Sequence, residues 1–280
     1  MKLAVSSDER LFAESVRSAI GEWEPTREPE LGTWLDDRDD ALAGRLEAAG
    51  WTELWSDPAL LGAAVAGGIE LGRAAAPASV VDEATLGGAL AVSGRARHAV
   101  GALRLAVPLA AGGLALTEVP PSLVPEPTLD GTGTVGVAVG VLDELAKSDA
   151  AARWRAWTAV TLAYFAGLAI EALERSVAHA RTREQFGAPL AVLPAVRDRL
   201  ADAALAADGL ELVAIAAAER RATLDPPALL WAGAACCEVT ASAHQIHGAL
   251  GFALESGLHR FHRRAKAMHV WAAEVCAATR

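Results

Sequence analysis

Residues 181–190 read RTREQFGAPL, and the fold turns on how this stretch is read. It joins two alanine-rich segments, 150–182 and 189–222, whose apolar positions recur every three to four residues and predict helices. Gly187 as a helix stop and Pro189 as a helix start would explain the connection. Arg183 would then be a solvated cation complementing a helix end. That reading leaves Gln185 and Phe186 unexplained. An arginine and a glutamine beside an exposed phenylalanine also suit a ligand carrying phosphate and a flat ring.

Outward from this stretch, helical periodicity resumes over 228–248, after the break Asp225-Pro226-Pro227, and again over 254–278. Four long helices with short connections predict an antiparallel four-helix bundle over 149–280. The N-terminal side predicts helices at 8–24 behind a Ser-Ser-Asp cap signal, 36–49, 59–75 and 79–93, with WTELWSDP (51–58) as a loop carrying two packing tryptophans. Residues 1–95 are therefore expected to form a helical domain. Between the two helical regions the texture changes. LRLAVPLA, GLALTEV and GTVGVAVGVL, within 98–142, are short β-type runs, and AAGGLAL resembles a hairpin connection. The four prolines of VPPSLVPEPTLDGTG place that stretch in a turning link. The expected fold is mainly α, with a small β module of three or four strands over 96–148 between the helical domain and the bundle.

The chain has 280 residues, 52% hydrophobic and 21% charged, with net charge −10. This is globular composition without a basic stripe, so no nucleic-acid partner is expected. Three cysteines, Cys236 and Cys237 adjacent and Cys276 distant, make no disulfide framework; buried packing and a reducing, cytoplasmic location are expected. The start MKLAVSSDERLF has no sustained apolar run, and no stretch of about 18 uninterrupted apolar residues predicts a membrane span. There is no G-x-G-x-x-G after a strand, no P-loop and no G-x-S-x-G elbow.

Five histidines, His244, His247, His259, His262 and His269, crowd the end. Two pairs are spaced i,i+3 and share a helix face. Bundle di-metal sites require Glu-x-x-His pairs with further inward glutamates. Glu255 and His259 are four apart and have no second such pair, so no metal is expected, and the histidines are read as lying on polar surface or interface faces. In HQIHGALGF (244–252), Gln245 and His247 occupy a last helical turn before Gly248 and Gly251. Helix capping is the simpler account; a glutamine beside a glycine-rich turn can also present amide donors to a ligand's edge.

REQFG and QIHGALGF together resemble the acyl-CoA dehydrogenase family, whose bundle carries an Arg-x-[Gln/Thr]-Phe-Gly turn and a Gln-Ile-x-Gly-Gly-x-Gly-[Phe/Tyr] turn. RRAK (263–266) is similar to the family's Arg-Asp-Ala-Lys at the matching distance. LEAAGWTELW and IELGRAAAP resemble its Leu-x-x-x-Gly-Trp and Glu-x-Gly-Arg segments. The resemblance implies a helical domain, a β domain and a four-helix bundle, assembled as a tetramer built from dimers. It implies α,β-dehydrogenation of acyl-CoA thioesters, in which a Glu removes the α proton and FAD accepts the β hydride. In the family the first turn's arginine lies against the FAD pyrophosphate of a neighbouring subunit, and the second turn contacts the same FAD. Carried over, this implicates Arg183, Gln185, Phe186, Gln245, His247 and Gly248 in cofactor binding, with Ala249 in place of the second glycine.

Three departures from the family reshape that expectation. The β region is less than half the usual length and lacks the flavin-cradling Thr-Glu-Pro-x-x-Gly-Ser-Asp; ALTEVPPS (115–122) is read as a strand and turn. The family's two base positions fall on Ala272 and Trp157. Glu274, two residues on, is rotated by about 200° on a helix. Leu193-Pro194 stands where the family has an aromatic or His followed by Gln. The resemblance therefore implies a reduced subunit with no catalytic residue of its own. A full-length acyl-CoA dehydrogenase partner, in an α2β2 heterotetramer, would supply the Glu and most of the FAD pocket. The substrate would be an acyl-CoA, steroid side-chain esters among the class, with an electron-transfer flavoprotein as acceptor. The alternatives are a flavin-free scaffolding or regulatory protein and a self-sufficient enzyme using Glu274 or another base.

Overall fold

The computed structural model describes residues 6–21, 40–53, 56–97, 104–119, 125–126, 134–136, 142–220 and 224–280. The N-terminal layer opens with α1 (Ser7–Gly21). A reciprocal cap closes its first turn: the Ser6 amide donates to Glu9 Oε2 at 2.5 Å and the Glu9 amide to Ser6 Oγ at 3.3 Å. The helices α2 (Asp40–Ala48), α3 (Leu61–Arg73) and α4 (Ser79–Leu86) follow. Trp51 anchors the link before α3, its buried Nε1 donating to Val80 O at 2.9 Å; Trp55, the second expected packing residue, lies outside the described residues.

The helix expected over 79–93 stops at Leu86. Gly87 takes the left-handed conformation (φ 82°) that closes a helix, and its amide donates to Glu83 O. Beyond it a Cβ on Gly88 would lie 2.8 Å from the Arg104 carbonyl oxygen, a backbone approach that belongs to a sheet. The chain continues as β1 (Ala89–Val92), β2 (Arg95–Arg97), β3 (Arg104–Leu109), β4 (Gly113–Glu118), β5 (Pro125–Glu126), β6 (Thr134–Gly136) and β7 (Asp143–Glu144). Their order is β5-β6-β2-β1-β3-β4-β7. Among the described residues this sheet thus has seven short strands where three or four were expected. β1 and β3 are parallel and the other pairs antiparallel. AAGGLAL is the hairpin its composition suggested: β3 and β4 pair from Arg104↔Glu118 to Leu109↔Gly113, with Ala111 (φ 55°) and Gly112 (φ 73°) at the turn. ALTEVPPS enters β4 at Ala115; residues 120–122 of it lie outside the described residues.

The bundle begins with α5 (Lys147–Thr182), 36 residues long. A short ribbon, β8 (Glu184–Gln185) and β9 (Ala188–Pro189), leads to α6 (Pro194–Arg220), α7 (Pro226–His247) and α8 (Leu258–Ala278). Asp225 caps α7, its Oδ1 accepting from the Ala228 amide at 3.1 Å, with proline at the first helical positions. α5 is the hub of the molecule and packs against α3, α4, α6, α7 and α8. It is long and apolar enough to cross a membrane, but 83% of its apolar window is buried inside the protein, as in a core helix. Its closest contact is with α3. A Cβ on Gly167 would lie 2.0 Å from Ile69 O, and one on Gly72 2.2 Å from Tyr164 O, so the two backbones touch. The motif residues of IELGR have structural work around this contact. Glu70 accepts two hydrogen bonds from Arg17 at 2.8 Å, and Arg73 reaches Glu174. All three cysteines are free and buried, and burial raises their thiol pKa values.

Candidate functional site

RTREQFGAPL is neither a helix stop at Gly187 nor a helix start at Pro189. α5 ends at Thr182, and Arg183 is already extended (φ −80°, ψ 123°), its amide bonded to His179 O. The chain then forms a two-residue hairpin. Gln185 pairs with Ala188 and Glu184 with Pro189, and the Leu190 amide closes onto Arg183 O at 2.8 Å. The central residues Phe186 (φ 55°) and Gly187 (φ 79°) are both left-handed, as a type I′ turn demands. Glycine meets that demand without strain. Phenylalanine does not, and its ring is 91% exposed. The next helix starts only at Pro194.

The second motif lies across a pocket from this hairpin. α7 ends at His247, and Gly248 (φ 60°, ψ −137°) turns the chain away in a conformation that favours glycine. Gly251 tucks under the helix end, where a Cβ would meet His244 O at 2.9 Å. The pocket between the motifs has a volume of about 430 Å³, and Arg183, Gln185, Gln245, His247 and Gly248 all line it. Five of the six residues implicated by the resemblance are therefore brought together. Phe186 is not in the lining and projects from the hairpin tip. Ala249 lines the pocket, as does Leu193 in place of the family's polar or aromatic residue.

Two lining residues were missed by the motif reading: His179 on α5 and Arg199 on α6. His179 lies one helical turn before Arg183, a spacing that could have drawn attention to it; Arg199 carries no local signal. The His179 ring stacks on His247 with centroids 4.2 Å apart and planes at 21°. His247 Nδ1 donates to Ala243 O at 2.9 Å, which fixes its orientation. Burial, then His247, then Arg183 hold the His179 pKa below its ordinary value. Among the described residues the pocket lining contains two arginines, two histidines and no carboxylate. It is concave and cationic, with neutral amide donors at its edge, which suits an anion of the size of a diphosphate.

The positions where the family places its base are closed. Trp157 and Ala272 are 1% and 0% exposed. Trp157 Nε1 donates to Asp82 Oδ1 at 3.0 Å. Asp82 also accepts from Arg97, Nε to Oδ2 at 2.9 Å and Nη2 to Oδ1 at 2.6 Å. Arg97 Nη1 approaches Met268 Sδ at 2.9 Å, and its guanidinium lies over the Trp271 ring, 5.4 Å from the centroid. A buried ion pair between α4 and β2 thus fills the space beside α5 and α8. Glu274 lies on the exposed side of α8 and accepts from Ser93 Oγ, on the β1–β2 turn, at 2.5 Å.

The other histidines are more buried than expected. His244 is 8% exposed, between Phe252 (centroids 5.2 Å) and His262 (5.6 Å), and Thr240 Oγ1 lies 3.0 Å from His262 Nδ1. Burial lowers the pKa of both rings. Among the described residues no group of three or more His, Cys, Asp or Glu is placed to hold a metal ion.

Residues 156–272 match the family model described as acyl-CoA dehydrogenase, C-terminal domain. The short-chain specific acyl-CoA dehydrogenase of Bos taurus mitochondria is 34% identical over 111 residues, covering 38% of this chain and 27% of that protein. The match therefore spans little more than a quarter of the relative's length. Among solved structures, a variant of the Tcur3481-Tcur3483 steroid ACAD aligns with a TM-score of 0.75 at 20% identity, over 98% of this chain and 96% of that one. The ChsE4-ChsE5 complex from Mycobacterium tuberculosis aligns with a TM-score of 0.74 at 19% identity, over 99% and 96%. At these identities the structural likeness shows the fold.

Proposed function

We propose, from the premise that the chain belongs through residues 156–272 to the acyl-CoA dehydrogenase family, that it is the non-catalytic, half-site subunit of a heteromeric FAD-dependent acyl-CoA dehydrogenase. The observation that carries the reading is a contrast within one helix. Around Trp157 on α5, the base positions are sealed by the Asp82–Arg97 pair. At the other end of α5, Arg183 and the Gln245–Gly248 turn line an open cationic pocket. Neither of the family's base positions carries a group that could take a proton from a substrate, while the pocket retains what would hold an anionic cofactor from outside.

In this reading FAD, held mainly by a full-length acyl-CoA dehydrogenase partner, supplies the hydride acceptor for α,β-dehydrogenation. Arg183 would hold its pyrophosphate through charge-assisted hydrogen bonds. Gln185, Gln245 and the Gly248 amide meet its polar edges. Phe186, exposed on a strained turn, packs against its flat ring or the protein that holds it. Strain of this kind, concentrated at one exposed residue of a ligand-facing turn, is characteristic of sites that act on something outside the chain. The partner contributes the catalytic Glu, and an α2β2 assembly places one chain of each kind at every such pocket. Among the described residues the lining holds no carboxylate, which fits the pyrophosphate, and no residue of the seven-stranded sheet. The substrate is an acyl-CoA thioester. A steroid side-chain ester is the class suggested by the naming of one structural neighbour as a steroid ACAD. Electrons then leave through an electron-transfer flavoprotein.

The test is co-purification. The chain alone should be colourless, and the complex formed with its full-length partner should be yellow. Arg183→Ala should leave the complex assembled and weaken FAD by about 1.5–3 kcal/mol, roughly ten- to 150-fold in affinity, read from flavin absorbance after dilution. A yellow, active homo-oligomer of this chain, or a mutant complex that holds FAD as tightly as the parent, would refute the reading.

A further inference from the structure

We infer that His179, His247 and Arg199 join Arg183 in a single diphosphate site, and that filling this site draws a proton onto His179. The inference rests on the proposed function only for the source of the diphosphate, a partner's FAD rather than a free nucleotide.

The geometry shows why the groups act together. His179 comes from α5, Arg199 from α6 and His247 from α7, while Arg183 begins the hairpin, so three helices and a turn deliver positive or protonatable groups to one cavity. The imidazoles are 4.2 Å apart and nearly parallel. The Nδ1 of His247 is occupied by the Ala243 carbonyl, which holds that ring in place against His179. The groups facing His179 are His247, Arg183 and Arg199, with the neutral amides of Gln185 and Gln245; among the described residues no acid lines the cavity. Among the described residues neither Arg183 nor Arg199 has an ion pair. An imidazolium at His179 is therefore opposed first by burial and then by like charge.

A ligand with two negative charges reverses that balance. It neutralises the arginines and gives an imidazolium a partner, so the pKa of His179 rises on binding. The sign follows. At a pH between the free and bound pKa values, binding takes up a proton, and affinity falls as pH rises towards the bound value. Above the bound value there is no uptake and affinity levels off. The steepest dependence is about tenfold per pH unit for one proton. Arg199 adds charge at every pH and no proton linkage.

ADP-ribose is a suitable probe, because its diesterified diphosphate does not titrate near neutrality. Binding to the purified chain is measured by calorimetry at about pH 6 and about pH 8, each in two buffers of different ionisation enthalpy. Proton uptake at the lower pH, vanishing at the higher, with severalfold tighter binding at the lower pH, is expected. His179→Phe keeps a ring to stack and cannot be protonated; it should bind at about pH 6 no more tightly than it does at about pH 8. Arg199→Ala should weaken binding at both values while leaving the proton count intact. Absence of saturable binding, binding without uptake, or uptake that survives His179→Phe would each overturn the inference. The proposed function fails separately. If the co-purified complex loses FAD on Arg183→Ala but the chain shows no proton uptake, this inference falls and the half-site reading stands. If uptake is found while that complex keeps its FAD, the half-site reading falls and the anion site stands.

Discussion

Asp82 accepts hydrogen bonds from two nitrogens of Arg97 and one of Trp157, and it is fully buried. Buried pairs contribute little net stability, because desolvation offsets the attraction, but breaking one leaves a charge stranded. Asp82→Ala should therefore lower unfolding stability by about 3–5 kcal/mol, seen as a fall in the urea midpoint. Replacing both partners, Asp82→Leu with Arg97→Met, should cost less than the single change, because no charge then remains buried. The sequence gives no hint of this triad, whose members lie far apart along the chain. What could be read was the absence of a carboxylate at positions 157 and 272, through a counted motif distance. The placement of Glu274 was also readable, since two residues along a helix turn a side chain to the other face. Arg199 was invisible for the reason Asp82 was: its role comes from packing between helices.

At the scale of elements, the long helices were legible because their apolar periodicity extends over many turns. The segment 89–97 was not. Short apolar runs of alanine, leucine and valine fit a buried strand and a helix equally well, and Gly87 and Gly88 decide the matter through backbone geometry and contact with a distant strand. The hairpin at 184–189 was missed because Phe-Gly is an unusual occupant of a turn whose usual signal is Asn-Gly. Between elements, the α3–α5 contact depends on Gly72 and Gly167 having no side chains. Gly167→Ala would drive a methyl into Ile69 O and push the N-terminal layer off the bundle. The expected cost is about 1–3 kcal/mol or more, measurable as a lowered thermal midpoint, whereas Gly44→Ala, with open space around its Cβ, should cost nothing from crowding.

Across the whole molecule, α5 links two regions with opposite character. Its inner stretch is sealed by tryptophans and an ion pair, and its last turn opens onto the cationic pocket. Trp157 and Arg183 are separated by roughly 40 Å of helix at 1.5 Å per residue. The division into helical layer, sheet and bundle was foreseeable from composition and periodicity, and two motifs in the bundle pointed to the pocket. The direction the pocket faces was not foreseeable from periodicity alone, because it depends on how α5, α6 and α7 end relative to one another.

The exposed Phe186 also has a practical consequence. A large aromatic at the tip of a two-residue ribbon is the kind of bond a chymotrypsin-like protease reaches first. In the isolated chain, brief digestion should cut after Phe186. The two fragments should stay together, since α5 and α6 remain packed across the nick. In the proposed complex the same peptide bond should resist cleavage, and Phe186→Ala should protect it in the chain alone. The rate of that single cut then reports whether the hairpin is covered, in a colourless sample and independently of any bound cofactor.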